Sequence, residues 1–332
     1  MVTIKDVARD AGVSVGTVSN VLNGGRVSEA RRKLVEASIE KLGYQVNTLA
    51  KGMRMQKTDY VVVILPNLIN PYFALLLDAL ESELSAVGKQ VLLCLSGDDA
   101  EREVAFMDMA KQNKVDGIIG VTYSKVEEER IENMAFVSID RHYKSHIPCV
   151  AGDNWQGGWL AAENLHKRGS TNLLCFMTMS SVDSEVRKRR VGFTEYCMEH
   201  DLSCNSVEMS EKQIVSVYES YGSRKLIHNM LRAYISPSMG EHSIDGIFTS
   251  SDHLAMIVQE ELEEMGKRVP EDIQIIGYDG LQFLNQGKPI VSSIAQPVHE
   301  IAKEAVRCLN ELIANGKTEG NTKIPVSFQE GP

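Results

Sequence analysis

Residues 14–20 read Ser-Val-Gly-Thr-Val-Ser-Asn, a run of hydroxyls closed by an amide, and these groups can touch base edges or phosphates. Asn20 either pairs bidentately with adenine N6 and N7 or contacts phosphate or solvent. Val15 and Gly16 offer no polar side-chain contact, so readout beside them leans on a thymine methyl and on DNA shape. Charge supports a polyanion partner. Through residue 57 ten basic side chains face five acidic ones, a balance of +5, whereas the whole chain carries −10. A basic end on an acidic body attracts a polyanion to that end alone.

The elements that must position residues 14–20 are legible in caps and periodicity. Thr3 with Asp6 three residues on opens a helix at Ile4, and Ile4, Val7, Ala8 and Ala11 make one apolar stripe. Gly12 permits a turn, and Ser14 caps a second helix through about Leu22, with Val18, Val21 and Leu22 inward and Val15, Gly16, Thr17, Ser19 and Asn20 outward or at its start. Ser28 opens a third helix that Gly43 ends. Helix, short turn and helix form a helix-turn-helix, whose second helix enters the major groove. A small three-helix domain with a protein partner or none is the alternative that the caps leave open and the charge disfavours.

Behind this headpiece, 332 residues with 43% hydrophobic and 24% charged side chains imply a globular, multidomain body. Short apolar runs at 60–65, 90–95, 117–121 and 136–139 alternate with helical stretches at 72–87 and 101–112. A second series follows at 173–177, 192–200, 207–209, 222–234, 246–249, 254–265 and 273–278. Such alternation makes parallel sheets covered on both faces, in two similar subdomains. The expected fold is therefore an all-α headpiece followed by an α/β core of two lobes. No G-x-G-x-x-G opens a helix after a strand, and Cys94, Cys149, Cys175, Cys197, Cys204 and Cys308 show neither C-x-x-C nor zinc spacing. No cofactor, metal or enzymatic activity is expected, and the thiols read as reduced and buried. With no signal segment and no apolar run long enough to span a bilayer, a cytoplasmic protein without a membrane partner is expected.

TIKDVARDAGVSVGTVSNVLN, VSEARRKLVEASIEKLGYQVNTLA, NPYF at 70–73, VDGII at 115–119, DNWQGG at 153–158, VPEDIQIIGYD at 269–279 and IAQP at 294–297 together resemble the lactose-repressor (LacI/GalR) family of bacterial transcription regulators. The resemblance runs the length of the chain. It implies DNA contacts from Thr3, Ser14, Val15, Gly16, Thr17, Ser19, Asn20 and Asn23. It implies a hinge helix at 47–57 with Asn47, Leu49 and Ala50, and with Met53 as an apolar wedge in the minor groove. Asn20 stands where the family commonly has Arg, and Val46 where a proline commonly precedes the hinge. Gly52 weakens an isolated hinge helix by about 1 kcal/mol, so folding of the hinge on DNA is expected.

The resemblance extends to periplasmic sugar-binding proteins, whose two lobes close on a ligand across three chain crossings, here expected near 154–158, 289–294 and 318–322. It implies domains at 1–46, 47–57, 58–157 with 291–319, and 158–290 with 320–332. The implied effector contacts are Asn70, Tyr72, Phe73, Asp140, Arg141, Arg189, Ser251, Asp279 and Gln296, all just after strands or in loops. Their chemistry suits a small polyol: carboxylates accept hydroxyl hydrogens, guanidinium groups donate in forks, and aromatic rings stack on C–H faces. Alternatives remain for several of them. Tyr72 and Phe73 could be core, Asp279 a turn former, and the arginine role could fall to Arg187 or Arg190. Asp252 either compensates for Ser251, where relatives carry Asn, or caps the following helix.

These readings converge on a homodimeric repressor that binds pseudo-palindromic double-stranded operator DNA and answers to a small carbohydrate, most like sucrose and ribose repressors. The alternative is a catabolite regulator of the same fold whose partner is the serine-phosphorylated phosphocarrier protein; a sugar-binding protein without regulatory role stands third.

Overall fold

The computed structural model describes residues 2–44, 58–127, 130–131, 133–143, 147–179, 182–235, 243–282, 287–318 and 320–332. The chain divides into two compact units, Met1–Thr58 and Asp59–Pro332.

In the first unit helices run Ile4–Asp10, Val15–Leu22 and Glu29–Leu42. Ser14 Oγ accepts the Thr17 amide at 3.1 Å, the expected cap. At the first helix the Thr3 hydroxyl donates to Asp6 Oδ2 at 2.6 Å, and the same oxygen takes the Thr3 amide at 3.0 Å. Val7, Ala8, Ala11, Val18, Val21 and Val35 close the small core. The expected hinge helix, with Val46, Asn47, Leu49, Ala50, Gly52 and Met53, lies outside the described residues.

The second unit holds two sheets. Strands β1 (Tyr60–Leu65), β2 (Gln90–Leu95), β3 (Gly117–Gly120), β4 (Phe136–Ile139) and β5 (Cys149–Gly152) precede β6 (Asn172–Met179), β7 (Ser203–Ser210), β8 (Gly246–Thr249) and β9 (Gln274–Asp279). Three short strands follow: β10 (Ser293–Ala295), β11 (Thr322–Ile324) and β12 (Ser327–Gln329). The first sheet is ordered β11-β5-β4-β3-β1-β2 and the second β12-β10-β9-β8-β6-β7. Pairing is parallel throughout, as in Val61 opposite both Val91 and Gly117, except where β12 runs antiparallel to β10. Central strands such as β1, Tyr-Val-Val-Val-Ile-Leu, are buried on both faces because helices cover both, which favours continuous β-branched runs over alternation.

The chain passes between the sheets at 152–154, 295–298 and 324–327, a few residues from the expected crossings. The expected domain limits shift for the same reason: β10 belongs to the second sheet and β11 to the first. Three-residue strands carry too little pattern to reveal which sheet they join. Helix Val298–Asn315 returns to the first lobe, where Ile301, Ala302, Ala305 and Leu309 share a core with Val61, Leu76 and Leu80. Among the described residues no helix is long and apolar enough to cross a membrane. All six cysteines are free thiols, five of them buried.

Two helices of the second lobe pack unusually closely. Gly158 of Asn154–Lys167 and Gly192 of Arg187–Glu199 each lie on the other helix's backbone, which fixes the approach of Arg189 to Asn154.

Candidate functional site

At the carboxyl ends of the strands a cavity encloses about 740 Å³ of atom-free space, part of it open to solvent. Strand ends supply most of its wall. Asn67 and Asn70 follow β1, Tyr123 follows β3, Asp140 follows β4, Ser250 and Ser251 follow β8, and Asp279 ends β9, while Thr178 lies near the end of β6. Parallel strands of each sheet end on the same side, so residues far apart in sequence meet there.

Asp140 and Asp279 both have positive φ, 60° and 121°. Non-glycine residues seldom hold such backbone angles, and strain of this kind gathers at functional sites. Both carboxyls are buried. Burial raises the Asp140 pKa to about 6, opposed by the charge of Arg189 and the Asn154 amide. Burial likewise raises Asp279 to about 7, opposed by Arg189 and by the Gln296 amide, which donates to Oδ1 at 2.9 Å. Each is poised to gain from a hydroxyl donor that would favour its ionised form.

Arg189 is the cation between them. Its Nε donates to Asn154 Oδ1 at 2.6 Å, its Nη1 donates to the Ser250 carbonyl at 2.7 Å, and its guanidinium lies 3.5 Å above the Tyr278 ring. Asn154 in turn donates to Asp140 Oδ1 at 3.3 Å and to the Gly152 carbonyl at 3.0 Å. Asn154 and Gln296 both stand on segments that cross between the sheets. A ligand that moves Asp140 or Arg189 therefore pulls on the first crossing, and one that moves Asp279 pulls on the second.

Four buried atoms around this centre have no protein partner: Tyr72 Oη, Ser184 Oγ, Asp279 Oδ2 and Gln296 Oε1. A buried polar group left unpaired costs about 1–3 kcal/mol, so such groups ordinarily mark a missing partner. All four residues line the cavity.

Of the expected effector residues, Asn70, Tyr72, Phe73, Asp140, Arg189, Ser251, Asp279 and Gln296 line this one cavity. Tyr72 and Phe73 also belong to the first lobe's core, with their rings edge to face at 5.5 Å. Asn70 caps their helix, accepting the Tyr72 amide at 3.1 Å. Arg141 departs from expectation. β4 ends at Ile139, the positive φ of Asp140 turns the chain there, and Arg141 enters the first lobe, where it donates to the Ser124 carbonyl at 2.7 Å and covers the Tyr143 ring at 4.4 Å. Arg187 lines the cavity in its stead, and Arg190 pairs with Glu208. Ser251 Oγ accepts the Leu254 amide at 3.1 Å and meets Tyr218 Oη at 3.1 Å. Asp252 is turned away, holding the Leu281 amide at 2.7 Å and the Ser293 hydroxyl at 2.5 Å, so it supports the turn after β9.

Sequence reasoning missed an apolar wall of Val186, Ile214, Val215 and Tyr218. Three of these come from helix Glu211–Glu219, which the periodicity did not reveal. It also missed Asn67, Tyr123, Thr178, Ser184 and Ser250; Thr178 and Ser250, each one residue past an expected strand, carried a usable positional signal.

Among the described residues, His228, Glu261 and Glu264 could hold a cation, their ligand atoms lying within 4.8 Å of one another, but none of them lines the cavity. His228 Nδ1 is already 3.1 Å from Glu261.

In the headpiece, Ser14, Gly16 and Asn20 are exposed, while Val15 is half-buried against the small core rather than fully outward. Thr17 Oγ1 meets Ser14 Oγ at 2.9 Å, and Ser19 Oγ accepts from Asn23 Nδ2 at 3.3 Å. Gly16 and Asn20, four apart, share one face. Lys5, Arg9, Arg26, Arg31 and Lys33 are exposed as well.

Comparison with known proteins gives two family matches, "Bacterial regulatory proteins, lacI family" over residues 3–47 and "Periplasmic binding protein-like domain" over residues 162–330. A sucrose operon repressor of Pediococcus pentosaceus is 32% identical over 99% of this chain and 98% of its own length. A ribose operon repressor of Halalkalibacterium halodurans is 32% identical over 93% of this chain and 89% of its own. Among solved structures, the Lac repressor dimer bound to operator and the anti-inducer ONPF superposes with a TM-score of 0.81 at 22% identity, covering 99% of this chain and 98% of that one.

Proposed function

The chain belongs to the lacI family of bacterial regulatory proteins, and from that membership we propose that it is a DNA-binding repressor of a carbohydrate operon whose operator affinity is set by a small sugar. The headpiece reads double-stranded operator DNA through the face of Gly16 and Asn20, with phosphate contacts from the basic side chains around it. Two headpieces of a homodimer take the two halves of a pseudo-palindrome, as the expected Asn47, Leu49, Ala50 and Met53 contacts of the hinge require.

One observation carries the sugar reading. Around Arg189 stand two buried carboxyls and four unpaired buried polar atoms, and hydroxyls of a polyol satisfy acceptors such as Asp279 Oδ2 and Gln296 Oε1 while accepting from Tyr72 Oη and Ser184 Oγ. Tyr72, Phe73 and Tyr218 supply apolar faces for ring C–H groups. Asn70, Asp140, Arg189, Asp279 and Gln296 are the polar contacts, with Arg187 in the place expected of Arg141. Because Asn154 and Gln296 lie on crossings, a bound sugar favours one lobe angle, and regulation is a shift between two arrangements of differing operator affinity.

The test selects duplexes from a random pool with purified protein, then titrates the selected DNA with D-ribose, D-fructose and sucrose. A pseudo-palindrome whose retention changes with one of them supports the proposal. Retention indifferent to every sugar but altered by serine-phosphorylated phosphocarrier protein transfers control to that partner.

A further inference from the structure

Glu185 is 1% exposed, does not line the cavity, and yet gathers two lysines and a histidine. His142 Nε2 and Lys188 Nζ both reach Oε1, and Lys323 Nζ stands 3.9 Å from Oε2. Their origins differ. Glu185 and Lys188 belong to the second lobe, at the start of helix Arg187–Glu199, whereas His142 follows β4 and Lys323 lies on β11, both in the first. The main chain crosses too, because the Glu185 amide donates to the Asp140 carbonyl at 2.8 Å. Only the carboxylate is deeply buried: the His142, Lys188 and Lys323 side chains are 34%, 39% and 46% exposed. Burial raises its pKa, but the hydrogen bonds from Lys188 and His142 and the charges of Lys188 and Lys323 together outweigh it and hold the carboxyl below the ordinary glutamate value.

We infer that Glu185 is an interlobe positioning residue, clasping the first turn of Arg187–Glu199 to the end of β4 so that Asp140 and Arg189 meet the effector already in register. Asp140 carries the accepting carbonyl, and Arg189 lies one helical turn beyond Glu185. The clasp thus joins the two charged contacts from behind the cavity wall, without touching the ligand. A carboxylate serving only the local helix start would need Lys188 and the free amides of its own helix; it would have no use for His142 and Lys323. The inference rests on the sugar reading for its consequence, but not for its geometry.

The test compares full-length wild-type protein with Glu185→Gln, His142→Asn, Lys323→Met and Lys188→Met. Amide exchange in the peptide spanning 183–187 is measured without sugar, and D-ribose, D-fructose and sucrose affinities by calorimetry. Loss of one charge-assisted contact is worth about tenfold. Glu185→Gln and His142→Asn are expected to speed exchange about that much and to weaken the bound sugar similarly, with a smaller effect of Lys323→Met and little from Lys188→Met. Exchange unchanged in Glu185→Gln and His142→Asn overturns the clasp, as does a pattern in which Lys188→Met alone matters. If wild type binds none of the sugars, the sugar reading fails, and the exchange measurement still decides the clasp.

Discussion

Gly158 rests on the carbonyl oxygen of Arg189, and Gly192 rests reciprocally on that of Trp155. A Cβ at the first would lie 1.8 Å from that oxygen, and one at the second 2.0 Å from the other. The two helices therefore meet backbone to backbone, and Arg189 reaches Asn154 only because of it. Gly158→Ala or Gly192→Ala is expected to lower stability by about 1–3 kcal/mol or more, since backbone cannot yield as a side chain would. Urea denaturation measures that loss. Sugar affinity should fall in the same variants, because Arg189 is displaced from Asn154.

Asp140 is both a cavity carboxylate and the acceptor of Asn154. Asp140→Ala should give a protein that holds operator DNA but no longer answers to sugar, with sugar affinity lowered by about 1.5–3 kcal/mol for the lost charged acceptor. A normal sugar response of operator binding in this variant removes Asp140 from the site.

The two carboxyls also set a pH dependence. Their folded pKa values, about 6 and about 7, exceed the ordinary aspartate value of 3.8. Each therefore contributes stability that is fully present below pH 4 and is lost as pH rises through 6 to 7. Thermal unfolding of the sugar-free protein, compared with the Asp140→Asn, Asp279→Asn double variant, should show an advantage at pH 5 that has gone by pH 8. Sugar affinity should rise across the same interval, because hydroxyls donate to the ionised carboxyls.

Much of this architecture is legible in the sequence, and the failures have physical causes. Caps at Thr3 and Ser14, the turn at Gly12 and the stripe Val7, Ala8, Ala11 mark the headpiece because local rules act within one turn of helix. The double-buried run of β1 announces a parallel sheet. β10 and β11 are three residues long, so their sheets, and hence the crossings, depend on tertiary pairing that no local pattern records. Arg141 beside Asp140 looked equivalent to it, but the left-handed backbone at Asp140, which no local pattern announces, turns the chain between them. The wall from Ile214, Val215 and Tyr218 depends on how a whole helix is laid over the cavity.

Asn20 is exposed on the reading helix, where an amide favours adenine. Asn20→Arg should move the selected base at one position of each half-site from adenine toward guanine, at about 1–3 kcal/mol of discrimination. Unaltered selection would assign Asn20 to the phosphates.

The central claim is linkage between a sugar in the cavity and DNA on the headpiece, and calorimetry tests it most directly. Ribose, fructose, sucrose and their phosphates are titrated into the protein alone and then into its operator complex. The account predicts one sugar whose affinity differs between the two by about 5–150-fold, the usual span of such coupling. A sugar that binds with the same affinity in both, or the binding of none, would contradict it.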